Sequence, residues 1–376
     1  MTAAGAPPDG LGPDVSAFDV HPARLPLASY LPRRAVRARV TEVTSPAVEA
    51  VDCHQHLGRW LTSGSWMAPD VDELIDLMDR TALTHLVNLD GRWGDELEAN
   101  LDRYDRAHPE RFSTFCHVDL SVLERERPSR ASDLLVADLA ASAARGARGL
   151  KVWKDLGLRW RGADGELVLP DDDRLAPVFA AAGDLGLPVL VHVADPLAFF
   201  RPLDRHNERL EELADHPDWW FGGAGLPSFD RLIDALEAVV ATHPGTTFVG
   251  AHVGCAAEDL ERVGAMLERY PNYHVDVGAR MAELGRVPRA ARRLVVDHPD
   301  QVLFGTDEFP MNEAEYHRWF RFLESDDECF AYGPEDAAPV RGRWDISALD
   351  LPPEVLPRLY RDNAARVLGL QRAGQR

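Results

Sequence analysis

Short apolar and β-branched runs recur along the chain, separated by stretches in which apolar residues return every three or four positions. The first pattern reads as buried strands and the second as amphipathic helices. Strands are expected at 50–54, 84–89, 112–117, 149–153, 188–193, 247–252, 273–277 and 302–307. Helical patterning fills the intervals at Val71–Asp79, Leu97–Arg106, Ala131–Arg145, Leu175–Leu185, Phe229–Thr242, Ala257–Tyr270 and Arg289–Asp297. A last helix runs from about Pro353 to Leu368. Such alternation predicts an α/β protein built as a single (β/α)8 TIM barrel over residues 50–376. Residues 1–17, rich in Pro, Gly and Ala, read as disordered, and residues 18–49 as an N-terminal arm packing on the barrel. His108-Pro109, His216-Pro217, His243-Pro244 and His298-Pro299 fall at or just past helical runs. Proline stops a helix and histidine suits the negative end of its dipole, so these pairs read as structural.

Composition narrows the partners. The 376 residues are 45% hydrophobic and 27% charged, enough for a large core, and the formal net charge is −21. That balance argues against nucleic acid or an anionic membrane, and leaves a small-molecule substrate and room for a homo-oligomer. Cys53, Cys116, Cys255 and Cys329 form no CxxC pair and read as reduced thiols of a cytoplasmic protein. The first residues lack the basic and apolar segments of a signal peptide, and no apolar run is long enough to span a bilayer.

In a barrel of this kind the site lies at the C-terminal ends of the strands. Strand one delivers His54 and His56, two residues apart and therefore expected on one face, where both imidazoles can converge on a metal ion. Strand two delivers Asn88 and Asp90, followed by Gly91-Arg92-Trp93; strand three, His117 and Asp119; strand four, Lys151. Strands five and six give His192 and His252, strand seven Asp276 with Arg280 beyond it, and strand eight Asp307. One such residue is ordinarily a hydrogen-bonded core group. A polar group at nearly every strand end is costly unless the groups serve each other or a ligand.

His54-Gln55-His56, Gly149-Leu150-Lys151, Val191-His192-Val193, Ala251-His252-Val253-Gly254 and Phe304-Gly305-Thr306-Asp307 together resemble the amidohydrolase superfamily. More narrowly, they are similar to its amidohydrolase-2 branch of metal-dependent hydrolases and decarboxylases, over roughly residues 50–370. The resemblance implies one divalent ion held by His54, His56, His192 and Asp307, with His252 as acid or base and Asp307 also catalytic. Imidazole and carboxylate ligands suit Zn²⁺, with Mn²⁺ or Fe²⁺ compatible in ligand type. In binuclear relatives a carboxylated lysine on strand four bridges two ions. Lys151 occupies that strand, although the branch usually works with one ion. Lys151 otherwise reads as a charged lysine that pairs with an acid or binds a substrate carboxylate.

Substrate contacts are expected from Arg280, as an anion anchor or else an ion pair with Glu283 or Asp276, and from His117 and Trp93. His117 reads equally as a partner of Asp119. Long loops after strands five and eight carry Phe199, Phe200, Trp219 and Trp220, then Trp319, Phe320 and Trp344. They are expected to wall the substrate or to pack on one another. The leading expectation is hydrolysis of a small-molecule amide, ester or lactone through metal-activated water. The alternative is a lyase, a non-oxidative decarboxylase of an aromatic or unsaturated carboxylic acid.

Overall fold

A parallel strand covered on both sides is buried along its whole length, and Ala50–Gln55 (β1) is buried at every position. The computed structural model describes residues 25–333 and 341–370. The segment 1–17 expected to be disordered, and the first residues of the expected arm, lie outside them. After β1 come Val71–Arg80 (α1), Leu83–Asn88 (β2), Gly94–Leu101 (α2), Phe112–Thr114 (β3), Pro128–Arg145 (α3) and Leu150–Val152 (β4). The chain continues with Ala176–Asp184 (α4), Val189–Val191 (β5), Phe229–Thr242 (α5), Phe248–Gly250 (β6), Leu260–Arg269 (α6) and Tyr273–Asp276 (β7). It ends with Pro288–Asp297 (α7), Val302–Leu303 (β8), Glu313–Glu324 (α8) and Asn363–Leu368 (α9).

Neighbouring strands pair in parallel, β1 to β3 in one ladder and β4 to β8 in another. Two seams join the ladders. At the first, Cys116 bridges Leu150, and Lys151 N–H donates to Cys116 O at 2.7 Å. At the second, Cys53 N–H donates to Phe304 O at 3.0 Å and Asp307 N–H to His54 O at 2.9 Å. The strands thus close into a TIM barrel. Inner strand residues such as Val51, Cys53, Val87, Leu190 and Val249 cluster with Ala364 and Leu368 of α9, apart from the larger core shared with the helices.

Local signals account for several helix ends. Asp70 accepts hydrogen bonds from Asp72 and Glu73 N–H at the start of α1, Ser228 caps α5 and Asn312 caps α8. Pro128 opens α3, and Gly146 ends it at φ 119°. His243 and His298 stand at the C-caps of α5 and α7, where His243 Nδ1–H donates to Val239 O at 2.8 Å.

One sequence expectation needs correction, and one strand departs from simple alternation. Strand six was expected to carry His252 but stops at Gly250, and His252 and Val253 form a left-handed turn at φ 58° and 59°. Asp276 Oδ1 accepts from His252 N–H at 3.0 Å, which holds that turn against β7. Period two would also put Asp52 on the same face as His54 and His56. A register irregularity between Asp52 and Gln55 breaks the alternation. Asp52 and Gln55 instead share hydrogen bonds with Thr306 and Tyr316, leaving His54 and His56 to face Asp307.

Residues 25–49 run along the segment that follows β8. Arg39 pairs with Asp326 at 2.8 Å, and Asp327 accepts from both Thr41 N–H and Thr41 Oγ1. Arg343 donates to the carbonyls of Leu27 and Tyr30.

Candidate metal centre

Each histidine of the β1 pair has one nitrogen tied to a buried carboxylate. His54 Nδ1–H donates to Asp276 Oδ2 at 2.9 Å, and His56 Nδ1–H donates to Asp90 Oδ1 at 2.6 Å. Burial raises the pKa of an acid, yet the imidazole beside each carboxyl outweighs it and holds Asp276 and Asp90 below the usual range. These bonds fix both tautomers, so Nε2 of each ring presents a lone pair to the barrel axis. Asp307 Oδ1 lies 3.3 Å from His56 Nε2 and 3.7 Å from His54 Nε2. Ligand atoms of His54, His56 and Asp307 all fall within 4.8 Å of one another. Gly305 permits this approach, because a Cβ there would sit 2.9 Å from His54 Cβ.

Electrostatics favour a cation at that point. Burial works against charge on His56, but Asp90 and Asp307 more than offset it and lift its pKa to about 9, so this point attracts a proton to Nε2 that a divalent ion would displace. Asp307, partly buried, is held well below the ordinary carboxylate range by His54 and His56. Asp307 Oδ1 and His192 Nε2 are buried without a hydrogen-bond partner among the described residues. Lone pairs on imidazole and carboxylate, aimed at one spot and left unsatisfied, fit a divalent ion.

The remaining strand-end residues surround this group. Lys151 Nζ donates to His54 Nε2 at 3.5 Å, and burial lowers its pKa to about 8 against the pull of Asp307 and Asp276. His252 Nδ1–H donates to Gly278 O at 2.9 Å, so its Nε2 is the free acceptor, 3.7 Å from Asp307 Oδ2. Burial keeps His252 neutral, reinforced by the charge of Arg280. His192 packs against His252 with ring centroids 4.4 Å apart, but lies outside the 4.8 Å group. Its Nε2 faces Asp195 Oδ1 at 3.4 Å, short of hydrogen-bond geometry, and burial lowers its pKa to about 3. Arg92, His252, Val253, Ala279 and Asp307 all adopt left-handed backbone beyond strand ends. Strain of this kind concentrates at functional sites.

A cavity of about 110 Å³ adjoins the group, with Trp60, Arg92, Trp93, His117, Lys151 and Trp153 among its walls. Trp153 joins cavity and centre, its ring in edge contact with His56, His192 and Trp60 at 5.5, 5.5 and 5.0 Å. His117 does not pair with Asp119. Its Nε2–H donates to Leu89 O at 2.8 Å, while Asp119 binds Ser121. Arg280 is buried away from this cavity and donates to Ala279 O. Neither suggested ion pair forms, because Glu283 binds Arg209 and Asp276 binds His54. The loop aromatics mostly pack together: Phe199 on Trp219, Phe200 on Phe221, and Phe304 among Trp319, Phe320 and Tyr360. The cavity walls come instead from β4, α4 and the loops after β1, β2, β3 and β4. The sequence reading passed over Trp60, Trp153 and Arg92 in this role, although Gly91-Arg92-Trp93 was visible at the end of β2.

The family model Amidohydro_2, described as Amidohydrolase, matches residues 50–370. No curated protein gives a significant match. Among solved structures, an uncharacterised TIM-barrel protein from Bordetella bronchiseptica is 15% identical at TM-score 0.53, covering 85% of this chain and 98% of its own. A 2,6-dihydroxybenzoate decarboxylase from Rhizobium is 16% identical at TM-score 0.52, covering 86% and 99%. A zinc-bound amidohydrolase from Burkholderia multivorans is 16% identical at TM-score 0.51, covering 86% and 100%.

Proposed function

Since the chain belongs to the Amidohydrolase family, we propose that it is a metal-dependent hydrolase of a small-molecule amide, ester or lactone. The carrying observation is the two-sided placement of Asp307, with Oδ1 toward His54 and His56 and Oδ2 toward His252. His54, His56 and Asp307 would hold one divalent ion, with His192 as a further ligand and Zn²⁺ the best match to the donor set. When bound, the ion supplies Lewis acidity and makes water acidic enough to lose a proton near neutral pH. Asp307 Oδ2 would accept a proton from the attacking water. His252 Nε2, an acceptor in its neutral tautomer, orients the attacking water and relays the proton to the leaving group. Lys151 keeps a positive charge beside His54 and favours the carboxylate form of Asp307. Loss of the third imidazole, in His192→Ala, is expected to lower metal affinity.

A second reading, decarboxylation of an aromatic acid, draws on the tryptophan-walled cavity beside the centre. One experiment separates the two. Protein purified from metal-replete medium should contain about one divalent ion per chain. It should hydrolyse members of an amide, ester and lactone panel without releasing CO₂. Turnover of hydroxybenzoates with CO₂ release and no hydrolysis selects the lyase. Protein that binds no divalent ion defeats both readings. His252→Asn should abolish turnover and keep the metal; loss of metal would make His252 a ligand. The unpaired Cys53, Cys116, Cys255 and Cys329 support a reducing, cytoplasmic setting, and among the described residues no helix is long and apolar enough to cross a membrane.

A further inference from the structure

Arg92 is a half-buried cation that no carboxylate among the described residues neutralises by contact. Its guanidinium lies 4.9 Å from the Trp60 ring centroid and 4.4 Å from that of Trp93, and its one hydrogen bond is a 3.5 Å contact to His117 Nδ1. His117 is neutral, its pKa lowered to about 3 by burial and by Arg92 itself. Partial desolvation disfavours the charge on Arg92, and Asp90, Asp155, Asp119 and Glu96 support it only from a distance. Its backbone is left-handed at φ 56°, a conformation costly for a side chain of this size. A strained, partly dehydrated guanidinium between two indole faces has donors to spare, and it lines the cavity beside the metal centre.

We propose that Arg92 is the anion-binding end of a substrate pocket that takes a small planar carboxylate, its ring among Trp60, Trp93 and Trp153 and its charged group away from the metal ligands. The proposal rests on the reading of the site as an enzyme for small molecules and names the substrate class. The cavity, about 110 Å³, is smaller than the ~150 Å³ that admits benzene in an engineered protein interior, which limits the ligand to a single ring. A guanidinium fork matches the two oxygens of a carboxylate. The surrounding acids favour a singly charged group over a phosphate dianion. Trp153 touches both Trp60 and His56, so a ring held here reaches the edge of the metal centre. The opposite end of such a substrate then carries the reacting bond, which distinguishes this pocket from one where the carboxylate itself lies on the metal.

The test titrates the purified full-length protein with benzoate and with its neutral analogue benzamide, following tryptophan fluorescence. Benzoate should bind saturably and at least tenfold more tightly than benzamide. Arg92→Asn suits the left-handed backbone and should collapse that preference toward one, while Arg92→Lys keeps part of it. Trp60→Leu, a second variant that keeps Arg92 itself, should weaken both probes. Asp307→Asn, which removes a metal ligand, should leave benzoate affinity within twofold of wild type. Absence of benzoate binding, or equal binding by wild type and Arg92→Asn, overturns the proposal. Benzoate affinity that follows metal content instead of residue 92 also overturns it and leaves the metal-centre reading intact. An Arg92-dependent site in a protein that retains no divalent ion upholds the pocket and removes the hydrolase reading.

Discussion

Asp276 and Asp90 fix which nitrogen of His54 and of His56 is free to ligate, and they make those nitrogens better donors. Replacing either acid by Asn keeps the shape and removes the charge. Asp276→Asn and Asp90→Asn are each expected to weaken metal binding by about 10–100-fold. Competition with a chelator of known affinity measures it, and an unchanged affinity would leave these carboxylates a purely structural part. A different buried imidazole governs stability against acid. His85 Nδ1–H donates to Glu110 O at 3.1 Å, and His85 Nε2 accepts from Ser113 Oγ at 2.8 Å. Burial, aided by Arg111 and Arg148, lowers its folded pKa to about 4 from an ordinary 6.5. Above pH 6.5 both folded and unfolded states hold the neutral ring and no penalty exists. As pH falls toward 4 only the unfolded chain gains the proton, and up to about 3 kcal/mol of stability is lost through this group. His85→Gln should therefore flatten the fall in unfolding free energy between pH 6.5 and 4 in urea titrations, whatever it does to stability at pH 7.5.

At the scale of elements, α1 depends on one cap. The Asp70 carboxylate accepts from two N–H groups of the first turn, so Asp70→Ala should lower stability by about 1 kcal/mol, measured by denaturant midpoint at unchanged m-value. The strand order and the helix positions were readable because they depend on short-range pattern. His54, His56 and Asp307 were readable for a related reason: a barrel carries its chemistry at strand ends, and these residues end the first and last strands. Features that depend on a distant partner were not readable. Asp276 and Asp90 were visible as strand-end acids, but the histidine each one serves follows from barrel register. The turn at His252 exists because Asp276 and Gly278, at the end of the neighbouring β7, bind its backbone and ring. The irregularity in β1 that turns Asp52 away from His54 leaves no local mark in Val51-Asp52-Cys53-His54. The aromatic loops after β5 and β8 announced burial correctly, but apolar content does not say whether a ring meets substrate or another ring.

Across the whole molecule, closure of the barrel rests on a polar knot between chain segments far apart in sequence. Asp52 Oδ1 accepts from the backbone N–H groups of His54 and Thr306, each at 3.0 Å. Its Oδ2 accepts from Gln55 Nε2 at 2.8 Å, Thr306 Oγ1 at 2.6 Å and Tyr316 Oη at 2.8 Å. Burial pushes the Asp52 pKa upward in spite of these donors, so the group is expensive to hide and depends on keeping all of them. The partners lie 254 and 264 residues away for Thr306 and Tyr316, which makes the knot a late and non-local contact. Asp52→Asn would set an amide NH₂ against donors that need an acceptor, and about 2–3 kcal/mol should be lost. Tyr316→Phe deletes its bond to Asp52 and the 3.2 Å contact from Gln55 Nε2, and leaves the carboxylate four donors, so about 1 kcal/mol is expected. Because β1 meets β8 here, the penalty belongs to the closed barrel as a whole. Thermal unfolding of Asp52→Asn should stay a single transition at lower temperature, with metal release and loss of helical signal coinciding. A separate early transition confined to β8 and α8 would show instead that the seam opens on its own, and that the metal ligand Asp307 departs with it.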